Sequence, residues 1–319
     1  MMKMFNKKSK ASGVVAVTVT ASHLNIAHMQ LRKEKPFLAY CESIAIKSEQ
    51  DAVKQLQSKV QQHGLQGLAC HYVLKPSDYS LHLVEAPDVE PDEMKAAVRW
   101  KIKDLLDMKV EEAVIDVFQL PGDAYRGRSD MVYVVACKRA EVEKTVKWLA
   151  ESGLELAVID IPELAIKNIS SHYIDDNQGV AFLDLHKSAS TMSLNKNQTL
   201  YLTRRINTPL DHDVMGSLEW EGLKNKLVLE MQRSLDYFES QMGQGQITKI
   251  YIAPRLRDTA EMTKSLDEML AAQVSALDIA GMLASAQDLT PQLQHSCLTV
   301  IGAALRLAPL AKLSEADAA

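Results

Sequence analysis

The sequence predicts an α/β protein of two lobes with a duplicated order of elements, interrupted by a small α+β insert. Three observations carry this prediction. A strand, strand, strand, helix, strand order that begins at Val14 returns after Gly179. A proline- and acid-rich break, "APDVEPDEM", opens a unit of different character. The chain of 319 residues is 47% hydrophobic, enough for a core in each lobe. The assigned spans are residues 11–86, 162–178 and 295–319 for the first lobe, 87–161 for the insert and 179–294 for the second lobe.

In "VVAVTVTASHLNIAHMQL" and "PFLAYCESIAI" apolar residues alternate, which gives three strands, the first two joined at Ser22 and His23. A helix follows over "SEQDAVKQLQSKVQQHG". Ser48 caps it, Gly64 stops it, and Ala52, Val53, Leu56 and Val60 share one face. "CHYVLK" and "YSLHLVEA" read as two more strands. The insert opens with a helix whose stripe is Met94, Ala97, Val98, Ile102 and Leu105. Strands "AVIDVFQL" and "MVYVVACK" flank the polar loop "PGDAYRGRSD". Val142, Val146 and Leu149 line the next helix, Gly153 ends it, and "LELAVIDI" is a further strand.

The second half supplies strands "GVAFLDL", "TMSLN" and "TLYLTRRI", then a long helix, then strand "ITKIYIA" with another helix behind it. On the long helix Leu223, Leu227, Met231, Leu235, Phe238 and Met242 recur every three or four residues, a core stripe, and Gly243 closes it. "LTVIGAALRLA" is apolar nearly all round and must be buried. The closing "SEADAA" reads as a loose tail.

Bulk properties exclude several classes. A formal charge of −5 and no internal basic patch argue against a nucleic-acid partner. Cys41, Cys70, Cys137 and Cys297 form no CxxC pair, and the nine histidines lack ligand spacing, so neither disulfides nor a metal site is expected. Reduced core cysteines suit the cytoplasm. No apolar run reaches membrane-spanning length. Lys3, Lys7, Lys8 and Lys10, beside Met1, Met2, Met4 and Phe5, leave two readings open: contact with an anionic lipid surface, or a frayed solvated tail. There is no G-x-S-x-G elbow, no HExxH and no Walker A loop.

The helical run "EMQRSLDYFES" followed by "ITKIYIA", the insert segment "AAVRWKIKDLLDMKVEEAVIDVF", the unit "MVYVVACKRAEVEKTVKWLAESGLELAVIDI" and the closing "IGAALR" resemble, in order and spacing, the PilM family of the actin-like superfamily. The resemblance runs from about Val14 to Leu307. It implies an actin-like fold, two ribonuclease-H-like lobes related by duplication, with the insert where the cell-division protein FtsA also carries an extra subdomain.

Actin-like ATPases clamp phosphates with two strand-turn-strand loops whose backbone N–H groups point inward, and glycine permits the close approach. By resemblance the first loop should carry Asp-x-Gly, small residues and a lysine; the matching positions are Thr18, Thr20 and Asn25. The second loop keeps Asp184 but has His186 at its glycine position, with Ser188, Ser190 and Thr191 behind. That hydroxyl cluster can still take an anion, while the ring of His186 obstructs a phosphate. The base-side loop, where paired glycines are expected, reads "YIAPRLRD", and Pro254 has no N–H to donate. The expectation is a degenerate site and a pseudo-ATPase with no catalytic residues and no metal. The alternative is a nucleotide-responsive ATPase of the same machine, holding ATP with magnesium.

The resemblance further implies a cytoplasmic scaffold of a type IV pilus platform, peripheral on the inner membrane of a Gram-negative bacterium. It would bind the N-terminal segment of a single-span PilN-like partner in a groove between the first lobe and the insert, and meet other platform proteins. Trp100 lies off the insert helix's stripe, so it either reads a partner or packs against the first lobe. Arg99 and Lys103 are free to meet acids or to sit in water.

Overall fold

A computed structural model describes residues 12–125, 130–186, 190–208, 217, 219–256 and 259–306. The N-terminal lysines, the closing "SEADAA" and Ser188 lie outside them. Strands β1 (Val14–Val19), β2 (His23–Arg32) and β3 (Lys35–Ala45) form a meander, followed by α1 (Glu49–His63) and β4 (Ala69–Val73). Every side chain of β1 is buried, as a central strand covered on both faces requires. Ser48 accepts from the Asp51 N–H, and Gly64 takes the left-handed conformation that ends α1.

The insert comprises β5 (Tyr79–Glu85), α2 (Met94–Lys101), β6 (Ala113–Gln119) and β7 (Met131–Lys138). Then α3 (Arg139–Ser152), β8 (Glu155–Asp160) and α4 (Pro162–Tyr173) follow. The second lobe holds β9 (Val180–Asp184), β10 (Ser190–Lys196), β11 (Thr199–Ile206), α5 (Trp220–Ser240), β12 (Lys249–Ile252), α6 (Ala260–Asp267), β13 (Gln273–Ala276) and α7 (Ile279–Met282). Helix α8 (Pro291–Ala304) returns to the first lobe.

The duplication is visible in the sheets. One runs β3-β2-β1-β4-β8 and the other β11-β10-β9-β12-β13, so each places its third, second, first, fourth and fifth strands in the same order. Even the turns correspond. β2 meets β3 through Lys33 and Glu34 (φ 51° and 65°), and β10 meets β11 through Asn197 and Gln198 (φ 48° and 62°). Two consecutive left-handed residues are the signature of a hairpin turn that matches strand twist.

The insert's limits differ from those expected. β5 pairs with β7 in the sheet β5-β7-β6, so the insert begins before Pro87. β8 pairs with β4, and α3 packs beside α1, so both belong to the first lobe and the insert ends with β7. Pro87 and Pro91 mark a turn inside the insert, and backbone pairing across the chain decides the boundary. Leu105 is 54% exposed rather than on the buried stripe, because α2 ends at Lys101 and a 3-10 turn over Lys103–Leu105 rotates it outward. Val146 is likewise 46% exposed, and Thr145 takes the inward position on α3.

Helices α4 and α8 lie in a core that joins the two sheets. It contains Ala16, Ala27 and Met29 from the first lobe and Val180 and Phe182 from the second. Gly302 on α8 permits the crossing, since a Cβ there would sit 2.2 Å from the Ala165 carbonyl oxygen. The four cysteines are free and buried. Among the described residues no helix is long and apolar enough to cross a membrane.

Candidate functional site

The β1–β2 turn and the adjoining ends of β9 and β10 line one space between the lobes. Thr18, Thr20, His23, Asn25, Asp184, His186 and Thr191 line one cavity of ≈ 420 Å³ there. The structure therefore brings Thr18, Thr20, Asp184 and His186 together, while Ser188 lies outside the described residues.

The polar groups of the first hairpin are already committed. The Thr18 hydroxyl donates to the Val73 carbonyl at 2.8 Å, which ties β1 to β4. Asn25 accepts from the Ser43 hydroxyl at 2.7 Å. At the tip, Thr20 Oγ1 accepts from the N–H groups of His23 (2.9 Å) and Ser22 (3.4 Å), while the Thr20 N–H donates to the His23 carbonyl. Such a side-chain-closed turn folds its N–H groups inward on itself. A phosphate-binding hairpin needs those donors free.

In the second hairpin His186 Nε2 donates to Asp184 Oδ2 at 2.9 Å. The hydrogen bond and charge of Asp184 raise the imidazole pKa above its ordinary value, against desolvation and the repulsion of Arg255. The Asp184 carboxylate thus faces a ring whose cationic form it stabilises. Ser190 donates to the Thr208 carbonyl at 3.2 Å and is buried, so it holds the end of β10. After β12, the Pro254 carbonyl meets His295 Nδ1 of α8 at 2.8 Å, so the base-side loop is fastened to the first lobe's last helix.

Sequence reasoning missed Glu163. It stands in the first turn of α4 behind Pro162 and lines the cavity between the hairpins. Tyr79 Oη donates to Glu163 Oε2 at 2.6 Å. Burial raises the Glu163 carboxyl above its usual range, and the nearby charges of Asp184 and Asp160 act in the same direction. The available signal was local: Pro then Glu ahead of "LAIKNI" is a helix start.

Trp100 is 64% exposed, so packing against the first lobe is not its role. Nor does α2 line a groove beside that lobe. It packs on one face of the insert sheet, where Met94, Val98 and Ile102 meet Val84, Val132 and Val134. The opposite face, with Leu81, Leu83 and Phe118, meets the lobes. The sheet thus separates Trp100 from them. Arg99 is part-buried and, among the described residues, has no acid partner: its Nη1 donates to the carbonyls of Val110 (2.6 Å) and Ala113 (3.4 Å), fixing α2 to β6. Lys103 is exposed.

No protein-family model matches the chain. No curated protein matches it in sequence. Among solved structures, the PilM-PilN type IV pilus biogenesis complex superposes with a TM-score of 0.70 at 16% identity, over 93% of this chain and 99% of that chain. The cytoplasmic domain of EpsL, an inner membrane component of the type II secretion system of Vibrio cholerae, gives 0.49 at 11% identity, over 90% and 94%. A Bacteroides thetaiotaomicron protein with actin-like ATPase fold gives 0.50 at 9% identity, over 93% and 100%. At these identities the likeness is one of fold, and the fold of this chain is actin-like.

Proposed function

We propose that this chain is an actin-fold scaffold on the cytoplasmic side of a Gram-negative inner membrane, part of a type IV pilus assembly platform. It binds the cytoplasmic N-terminal segment of a single-span PilN-like partner. The finer assignment is to the mannose-sensitive haemagglutinin (MSHA) type of pilus, in the place of its PilM-like member MshI. The observation that carries the reading is the superposition on the PilM-PilN complex over nearly all of both chains. The partner surface is the outer face of the insert around Trp100, with Lys103 beside it and Arg99 positioning the helix.

The same proposal holds the nucleotide site to be degenerate. The self-closed turn at Thr20, the His186 ring on Asp184 and the fastened Pro254 loop support this. One observation favours the second reading, an ATPase that holds ATP with magnesium: Asp184 is retained beside an open cavity.

The test is a pull-down from detergent-solubilised membranes of the source bacterium, with titration calorimetry of the purified chain against ATP and magnesium. The expected result is retention of a single-span protein whose synthetic N-terminal peptide competes for binding, and no heat from ATP. A hot-spot Trp100→Ala should weaken that peptide by about 2 kcal/mol or more. Unchanged peptide affinity in that variant defeats the surface assignment, and micromolar ATP binding with turnover defeats the degenerate-site reading.

A further inference from the structure

A second cavity, ≈ 1230 Å³, lies between the inner face of the insert sheet and β11, the outermost strand of the second lobe. Tyr79, Leu81, Leu83 and Tyr133 form one wall, and Leu202 to Arg205 form the other. Side chains of adjacent strand residues point to opposite faces. Arg204 and Arg205 both reach this cavity, so it wraps around the strand's free edge.

One group of that edge is already bonded within the chain. The Thr203 N–H donates to Tyr133 Oη at 3.0 Å, away from β10. By the alternation of an antiparallel pair, the N–H and C=O of Arg205 face the same way. Among the described residues nothing pairs with that edge as a strand.

The electrostatics choose the occupant. Among the described residues neither Arg204 nor Arg205 has an ion-pair partner. Glu163 is the single acid on the described lining, and Tyr79 holds it by a hydrogen bond. His186 stands at the junction with the first cavity. The space therefore offers cations, apolar and aromatic walls, and, at Arg205, backbone groups on a strand edge that no described strand pairs. Its volume exceeds the roughly 300–1,000 Å³ usual for a small-molecule pocket.

We propose that this cavity receives an extended acidic peptide segment of a partner protein, paired with β11 through its backbone and neutralising Arg204 and Arg205. The site is separate from the Trp100 surface and does not rest on the function proposed above.

The probe is a fluorescein-labelled, end-blocked peptide of alternating glutamate and valine, followed by fluorescence anisotropy on the full chain at fixed ionic strength. Saturable binding is expected. It should weaken by about tenfold or more in the Arg204→Glu, Arg205→Glu double variant, since reversed charges repel the ligand. Alternate N-methylation of the probe's amides should abolish binding. Circular dichroism melts verify that the double variant folds, and the N-methylated probe on unaltered protein gives an arm independent of any substitution. The proposal is overturned if the glutamate peptide does not bind, if a lysine-valine peptide binds equally, or if N-methylation has no effect. Full displacement of the probe by citrate or inorganic phosphate at matched ionic strength also overturns it, because a small-anion site then accounts for the binding.

Discussion

His186 and Asp184, two residues apart at the mouth of the β9–β10 hairpin, are joined by a 2.9 Å hydrogen bond from ring nitrogen to carboxylate. The charge state of the pair is testable. Because the folded imidazole pKa is raised, protonation is linked to stability. The contribution is full below the unfolded value near 6.5 and disappears as pH rises through the raised folded value. Thermal melts of the wild type and His186→Ala should therefore differ most at about pH 5.5 and converge by about pH 9. The ring is half-exposed, so screening keeps the difference below about 1 kcal/mol. A gap that stays constant across this range would show that the pair carries no ionic stabilisation.

The insert helix separates packing from surface within one turn. Ile102 is fully buried against the insert sheet, whereas Trp100 is mostly exposed. Ile102→Ala should cost about 2–5 kcal/mol in urea unfolding. Trp100→Ala should stay within about 0.5 kcal/mol of wild type. A large loss for Trp100→Ala would mean that this side chain is part of the core and cannot be read as a partner surface.

Much of this was legible before any coordinates. All the lobe strands but β13 are legible from their apolar pattern, and Ser48 and Gly64 bracket α1 as capping chemistry dictates. The hairpin residues Thr18, Thr20, Asp184 and His186 could be placed together because the family resemblance assigns them to the two phosphate-loop positions, and all four line one cavity. Other features depend on contacts remote in sequence. Glu163 becomes notable only through Tyr79, 84 residues away. The boundary at Pro87 was misplaced because a turn signal is local, while the choice of β7 as the partner of β5 is not. Helix α4 stayed unread because its inward face mixes Ala165 and Ile169 with Asn168 and Ser170. Asn168 is tolerated inside because its amide donates to the Gly302 carbonyl at 3.1 Å.

The duplicated turns offer a stability test unconnected to function. Lys33 and Glu34 both occupy the left-handed region, which costs a side-chain-bearing residue roughly 1–2 kcal/mol. Replacing them with Asn-Gly, the pair that this turn favours, should raise stability by about 1 kcal/mol in denaturant unfolding with an unchanged slope. A loss instead would show that the Lys33 or Glu34 side chain makes a stabilising contact that outweighs the backbone.

The joint between the lobes should be the least tolerant place in the chain. At Gly302 the α8 backbone approaches α4 so closely that an added methyl would overlap the Ala165 carbonyl, a backbone atom that cannot rotate aside. The neighbouring contacts are also committed: Asn168 bonds the Gly302 carbonyl, and His71 Nδ1 meets the Ala303 carbonyl at 2.9 Å. Gly302→Ala must therefore push α8 from α4 and stretch both bonds. The expected cost is about 1–3 kcal/mol, the usual range for overpacking, seen as a lower midpoint in urea. Because this core joins the two sheets, the loss should fall on both lobes in one cooperative transition, followed by tryptophan fluorescence from Trp148 near the first and Trp220 in the second. Two separated transitions would mean that α8 secures the first lobe alone.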